Sequence, residues 1–485
     1  MRIKTLEINN YKAFYGEQKI NVGSKNLFIY GENGSGKSSL YYALKDFFQS
    51  SIENINLNEL ENIFIDEDKK GKSYIKVTFN PNSEQQYRNQ NFQLTANSKN
   101  TDSSTDTSIR DANKLKSFLT YKHLLEIHHI QKGKQIDLFN LLINGVLKHF
   151  RYTLTNGKEL GELWQDIETK IATTTSPDYK ITQKKKDVDL ALKRFNDAFS
   201  ELFITDSPEY ILKHATPILE KFNQNLIIKL NYRQAKANND YQSIENNHVH
   251  IDLSYAGKTI AQPHLFLNEA RLSAIAISIY LGMIKRHIQL IPCKILFLDD
   301  IFIGLDIANR LPLLNILKTD FPNYQIFITT YDKPWYEYAK SFLDNNWNTL
   351  EFYAQEIKDG YEIPLIKEGN FLDQAKKHFD ACDYKAAAVY TRSAFEKILQ
   401  EYCANRKKPI PFKLKLKNYT SEDFWTVTKD EIESSTRAEI EQYRNLVLNS
   451  FSHYDTENHE IKTELQNAIT AVKKLKSELK ILQSH

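Results

Sequence analysis

The chain has 485 residues, a net charge of +3 and three scattered cysteines. That length predicts two or three domains with cores that need no disulfides, and the cysteines are too few for a disulfide framework or a zinc site. The near-balanced charge excludes a molecule that is basic throughout, so any nucleic-acid contact has to come from a local patch. The N-terminus alternates polar and apolar residues without the apolar stretch of a signal peptide, and no apolar run reaches membrane-spanning length, so a cytoplasmic, membrane-free protein is expected.

In chain order, Ile3, Leu6 and Ile8 mark a first strand, and Asn26-Leu27-Phe28-Ile29-Tyr30 a second that runs straight into glycine. Leu40, Ala43, Leu44 and Phe47 then recur at helical spacing over 38–48. Residues 81–113 are polar and read as an exposed loop, and 118–147 reads as helical. Residues 158–226 read as a short helical insert. Its Val188, Leu192, Phe195, Phe199 and Leu202 fit a compact helical lobe and are too few for a long coiled-coil arm. Lys184, Lys185 and Lys186 form either a phosphate contact or a solvated helix face. Strands are expected at 226–230, 248–253, 294–298 and 325–329, helices at 268–283 and 309–318, and a closing β-segment at 350–366. From Phe371 onward the sequence reads as helix and loop, which puts a domain boundary near residue 368.

Gly31-Glu32-Asn33-Gly34-Ser35-Gly36-Lys37-Ser38 fits the phosphate-binding pattern G-x-x-x-x-G-K-[ST] between a strand and a helix. Glycines let backbone N–H groups close around phosphate oxygens, and the helix N-terminus adds a favourable dipole. Lys37 would reach the β- and γ-phosphates of ATP, and Ser38 would hold Mg²⁺. The apolar run Ile295–Leu298 ends in Asp299 and Asp300. The first would hold Mg²⁺ and the second sits where a base for the attacking water belongs.

With these motifs in place, the chain resembles the SMC and RecF type of ABC ATPase. The opening Ile3 to Phe14 looks like that family's first strand and turn. Leu267-Asn268-Glu269-Ala270-Arg271-Leu272-Ser273 resembles its signature motif, Gly304-Leu305-Asp306 its D-loop and Thr329-Thr330-Tyr331-Asp332 its switch segment. The resemblance covers roughly 1–366. It implies an α/β fold: an ABC-type P-loop head, with a mixed sheet and helices, over 1–157 and 227–367, interrupted by the insert at 158–226. It also implies two heads closing over two ATP molecules. Each nucleotide would meet Lys12, Gly31, Asn33, Gly34, Ser35, Gly36, Lys37, Ser38 and Ser39 of one copy and the signature residues Asn268 and Glu269 of the other, with Asp306 of the D-loop a further nucleotide contact. Gln131 is one candidate for the glutamine loop. The chain has Asn268 in place of serine, Ala270 in place of glycine, Asp300 in place of glutamate and Tyr331 in place of histidine. The last two predict slow hydrolysis.

Residues 368–485 are expected to be an all-helical domain. Arg392 and Glu396, four apart, share a helix face, and the stretch from Tyr443 and Arg444 to His453 ends a later helix. They are either an ordinary ion pair and capping histidine of a docking bundle, or an acid–base and phosphate-clamp set for RNA cleavage. The second reading resembles HEPN ribonucleases and anticodon nucleases of the PrrC and RloC kind. Arg406, Lys407, Lys408, Lys413, Lys415 and Lys417 form a basic stretch suited to a phosphate backbone or to plain solvent. The resemblance implies an antiviral ATPase that controls a nuclease, its own domain or a docked partner, with DNA or tRNA as the nucleic acid. A DNA-repair or chromosome clamp without nuclease is the alternative.

Overall fold

Asn26–Gly31 has no alternating polar face, the pattern of a strand covered on both sides. In the computed structural model all six of its residues are buried. The structure describes every residue except 81–89, 99–100, 102–106, 116, 123, 125–136, 149, 151–152, 173–180, 223–225, 262–265, 287–290, 292, 357–359, 368–370, 412, 414–418, 444–460 and 485. The chain divides into two compact units, Met1–Lys367 and Glu368–His485.

The first unit opens with β1 (Arg2–Asn9), β2 (Glu17–Asn21), β3 (Asn26–Gly31), α1 (Lys37–Gln49), β4 (Tyr74–Asn80), β5 (Asn91–Thr95), α2 (Ser108–Lys114) and β6 (Phe118–Thr120). Three helices follow: α3 (Leu160–Ala172), α4 (Ile181–Glu201) and α5 (Leu212–Lys221). Next come β7 (Leu226–Arg233), β8 (Lys236–Ala237), β9 (Ile244–Glu245), β10 (His248–Tyr255), β11 (Lys258–Ile260) and α6 (Glu269–Arg286). The unit ends with β12 (Ile295–Asp299), α7 (Ile307–Asp320), β13 (Gln325–Thr330), α8 (Lys333–Lys340), β14 (Trp347–Glu356) and β15 (Glu362–Lys367).

The main sheet has the order β15-β14-β3-β13-β12-β6, parallel except for β15. An antiparallel sheet, β2-β1-β4-β5, lies apart from it, and a third pairs β11-β10-β7. Helix α1 joins the first two sheets: its Leu40, Tyr41, Leu44 and Phe47 share one core with Ile3 and Ile8 of β1 and Phe297 and Phe327 of the main sheet. Burying these side chains is the main favourable term holding the layers together. A second core contains α5–α8 residues, and the apolar row Val188, Leu192, Phe195, Phe199 and Leu202 of α4 packs into it.

Two expectations fail here. Part of the polar 81–113 stretch is structured. β5 pairs with β4 and buries Phe92 and Leu94, and α2 occupies Ser108–Lys114. The start of the expected 118–147 helix is the edge strand β6, paired with β12. The two missed strands, β5 and β6, have one cause. Short strands take their identity from the partner strand, which local periodicity does not reveal.

The second unit is helical: α9 (Phe371–Asp380), α10 (Tyr384–Asn405), α11 (Ser421–Trp425), α12 (Ser434–Tyr443) and α13 (Ile461–Ser484). Phe395, Leu399, Tyr402, Trp425 and Leu475 form its larger core, and Ala375, Phe379, Ala387 and Leu465 a smaller one. Asp383 caps α10, accepting from the Ala386 backbone N–H at 3.1 Å. Among the described residues, no helix is long and apolar enough to cross a membrane.

Candidate nucleotide site

Strand β3 ends at Gly31 and α1 starts at Lys37, so the intervening loop turns over the end of the main sheet. The turn closes through Gly36, whose φ of 92° is left-handed and open to glycine at little cost. Lys37 is buried. Its Nζ donates to the Gly31 carbonyl at 2.7 Å and the Glu32 carbonyl at 3.0 Å, and lies 3.9 Å from Asp300 Oδ2. The lysine is thus held inside the loop it would use to grip phosphate. Burial pushes its pKa down, opposed by Asp300 and Asp299.

The parallel register of β12 and β13 brings the second half of the site to the same edge. Ser38 Oγ donates to Asp299 Oδ2 at 3.2 Å, and Thr329 Oγ1 donates to Asp299 Oδ1 at 2.7 Å. The same Thr329 hydroxyl accepts from the Asp300 backbone N–H at 2.9 Å. Asp300 adopts the left-handed conformation, φ 51°, directly after the strand. Its buried Oδ1 has no hydrogen-bond partner among the described residues, and the same holds for Ser35 Oγ in the loop. Burial raises the Asp300 carboxyl to about 6, with Lys37 opposing and Asp299 adding to the rise. Asp299 is also pushed up by burial, and its bonds to Thr329 and Ser38 hold it back. Two buried carboxylates, a hydroxyl and a lysine around a glycine-lined loop are a donor and acceptor set that fits Mg²⁺ and a polyphosphate.

Other predicted residues lie around this centre. Ser39 Oγ accepts from the Ala13 backbone N–H at 3.3 Å. Asn33 and Gly34 are exposed on the loop. Lys12 Nζ sits 4.4 Å from the centre of the Tyr42 ring. Tyr331, after β13, is 45% exposed. Asn268 and Glu269 are exposed at the start of α6, where Asn268 Oδ1 accepts from the Arg271 backbone N–H at 2.9 Å. Asp306 caps α7, accepting from the Asn309 backbone N–H at 3.0 Å.

The family described as "RecF/RecN/SMC N terminal domain" matches residues 2–348. The chain belongs to this family. Its first unit is an ATPase head of the SMC and RecF type, with the mixed sheet and flanking helices of an ABC ATPase. Two solved structures are similar to the RecF/RecN/SMC chain described here. One is an Smc head bound to the C-winged helix domain of ScpA, at 15% identity and a TM-score of 0.40, covering 78% of this chain and 100% of that one. The other is an Smc head domain with an extended coiled coil bound to the C-terminal domain of ScpA, derived from Pyrococcus furiosus. It has 13% identity and a TM-score of 0.43, and covers 79% of this chain and 99% of that one. No curated protein matches significantly.

Sequence reading missed two parts of this RecF/RecN/SMC head. Thr329, read from the sequence only as part of the switch segment, ties the two acidic residues together. Pro364 of β15 packs against Gly36, so that a Cβ there would lie 2.5 Å from Pro364 Cγ. In the second unit, Arg392 Nε donates to Glu396 Oε1 at 3.0 Å on an exposed face of α10. His453, Arg444 and Gln131 lie outside the described residues, as do Lys415 and Lys417. Of the remaining basic stretch, Lys408 pairs with Glu431, and Lys413 pairs with Asp423 at 2.6 Å.

Proposed function

We propose that this head binds ATP with Mg²⁺, pairs with a second copy around the nucleotide, hydrolyses it slowly and thereby controls a nuclease. The observation that carries the reading is the convergence of Lys37, Ser38, Asp299 and Asp300 on one glycine-lined loop. Lys37 exchanges its bonds to the Gly31 and Glu32 carbonyls for phosphate oxygens. Ser38 and Asp299 hold Mg²⁺, which when bound neutralises phosphate charge. Asp300, unpartnered at Oδ1, accepts a proton from the attacking water. Asn268 and Glu269 offer an exposed helix start to the nucleotide of the opposite copy.

Slow turnover follows from two side chains. Asp300 is one methylene shorter than glutamate and stops short of the water. Tyr331 has no imidazole to polarise the γ-phosphate. The ATP-bound pair is then long-lived, because contacts to the γ-phosphate exist only in the closed state. The nuclease, in an antiviral setting, rests on the resemblance of Arg392, Glu396 and His453 to HEPN and anticodon-nuclease residues. It is either the C-terminal domain itself or a protein docked there.

The test is ATP turnover and light scattering on the purified full chain. Turnover is expected below about 1 per second, under the roughly 10 per second typical of enzymes. Dimers should appear with ATP and disappear in Lys37→Ala. Fast turnover, or a monomer at saturating ATP, refutes the reading. For the nuclease arm, RNA cleavage lost in His453→Ala assigns it to the chain itself. Cellular toxicity that survives His453→Ala but not Lys37→Ala assigns it to a partner. DNA-end binding with neither effect favours a clamp.

A further inference from the structure

Arg310, in the first turn of α7, joins two segments at the edge of the nucleotide site. Its Nε donates to the Leu305 carbonyl at 3.0 Å and its Nη1 to Asp332 Oδ2 at 2.7 Å. Leu305 immediately precedes Asp306, and Asp332 immediately follows Tyr331. Aromatic rings reinforce the same span. The guanidinium carbon lies 5.7 Å from the centre of the Trp335 ring, and Trp335 meets Phe302 edge-on at 5.3 Å. The other oxygen of Asp332, Oδ1, accepts from the Trp335 backbone N–H at 2.9 Å, so α8 is capped without the arginine. A partly exposed ion pair adds at most about 1 kcal/mol to stability. What this one fixes is geometry, because a planar guanidinium holds both acceptors in a set arrangement that a lysine does not reproduce. The connection ends at the acid. The Asp332 backbone N–H donates to Thr330 Oγ1 at 3.2 Å, beside the Thr329 hydroxyl that ties Asp299 to Asp300. Burial raises the Asp300 carboxyl to about 6, while Lys37 and the Tyr331 backbone N–H hold it back.

We propose that Arg310 is a positioning residue for ATP hydrolysis: by joining Leu305 to Asp332 it holds the Tyr331 backbone N–H against Asp300. This inference rests on the ATPase reading above and adds how the acid is aligned. Residues 306–308 are exposed beside the arginine's Leu305 contact. A second copy pressing on them shifts Leu305, and Arg310 carries that shift to Asp332 and the Tyr331 amide through two charge-assisted bonds. Arg310 itself touches neither nucleotide nor water.

Single-turnover hydrolysis and calorimetric titration of the full chain with Mg-ATP test this. Arg310→Ala is expected to slow hydrolysis roughly tenfold while ATP affinity stays within about twofold. The pH at which hydrolysis falls should move upward, because a carboxylate that loses an N–H donor protonates more readily. Asp332→Asn keeps the cap on Trp335 and removes the charge opposite Arg310. It should slow hydrolysis to the same degree, and the double variant should be no slower than either single one. Unchanged hydrolysis in Arg310→Ala, an unmoved pH profile, or losses that multiply in the double variant overturn the proposal. A parallel loss of ATP binding in both single variants also overturns it, since the arginine would then only hold the fold. Failure of the underlying reading looks different: the wild-type chain would neither bind nor hydrolyse Mg-ATP, and Lys37→Ala would match it.

Discussion

Asp300 concentrates the physical tension of the site. It is an acid held in a left-handed turn, buried, beside a second carboxylate and 3.9 Å from a lysine already bonded elsewhere. Its folded-state pKa of about 6 lies above the ordinary value of 3.8. A raised carboxyl contributes stability that is fully present below the ordinary value and is lost as pH rises through the folded one. Nucleotide-free protein should therefore gain stability, on the order of 2 kcal/mol, from Asp300→Asn at pH 7. The gain should shrink towards pH 4, as read by urea melts at both pH values. The same group must be ionised to accept a proton, so hydrolysis should fall as pH drops through about 6, and Asp300→Asn should abolish it. At Tyr331, an imidazole in place of the phenol should speed turnover, by about tenfold in Tyr331→His, measured by phosphate release.

At the scale of elements, two close approaches decide whether the head holds together. The first joins β15 to the phosphate loop through Pro364 and Gly36. A methyl group at Gly36 would strike the proline ring and would also have to sit at positive φ. Gly36→Ala should therefore abolish ATP binding in calorimetry. The second joins α5 and α6, where a Cβ on Gly282 would lie 2.7 Å from the His214 carbonyl. That neighbour is backbone and cannot rotate away, so the helices must part. Gly282→Ala should cost about 2 kcal/mol in a urea melt, within the usual range for overpacking. Because α6 begins at Glu269, its shift should also weaken ATP-dependent pairing.

At the scale of the molecule, the first unit carries its own sheets and both of its cores, and the second carries two smaller cores of its own. A chain ending at Lys367 is expected to fold cooperatively and bind ATP with the affinity of the full chain, as shown by calorimetry and thermal melting. The full-length Asp300→Asn variant should accumulate as an ATP-bound dimer in light scattering, because closure is retained while the step that releases it is blocked.

The phosphate loop was legible because its chemistry is local: glycine spacing, one lysine and one serine are set by the backbone they share. The acidic strand end and the α10 face bearing Arg392 and Glu396 were legible for the same reason, since strand burial and helix spacing are short-range patterns. What folding alone decided were the contacts between distant segments. Thr329 reaches Asp299 only because β12 and β13 pair in one register. β5 and β6 are strands because β4 and β12 offer them hydrogen bonds. Pro364 meets Gly36, and Tyr361 meets Phe64, across some three hundred residues of chain. No local pattern encodes such meetings, because they arise only when the sheet closes and burial forces its edges together.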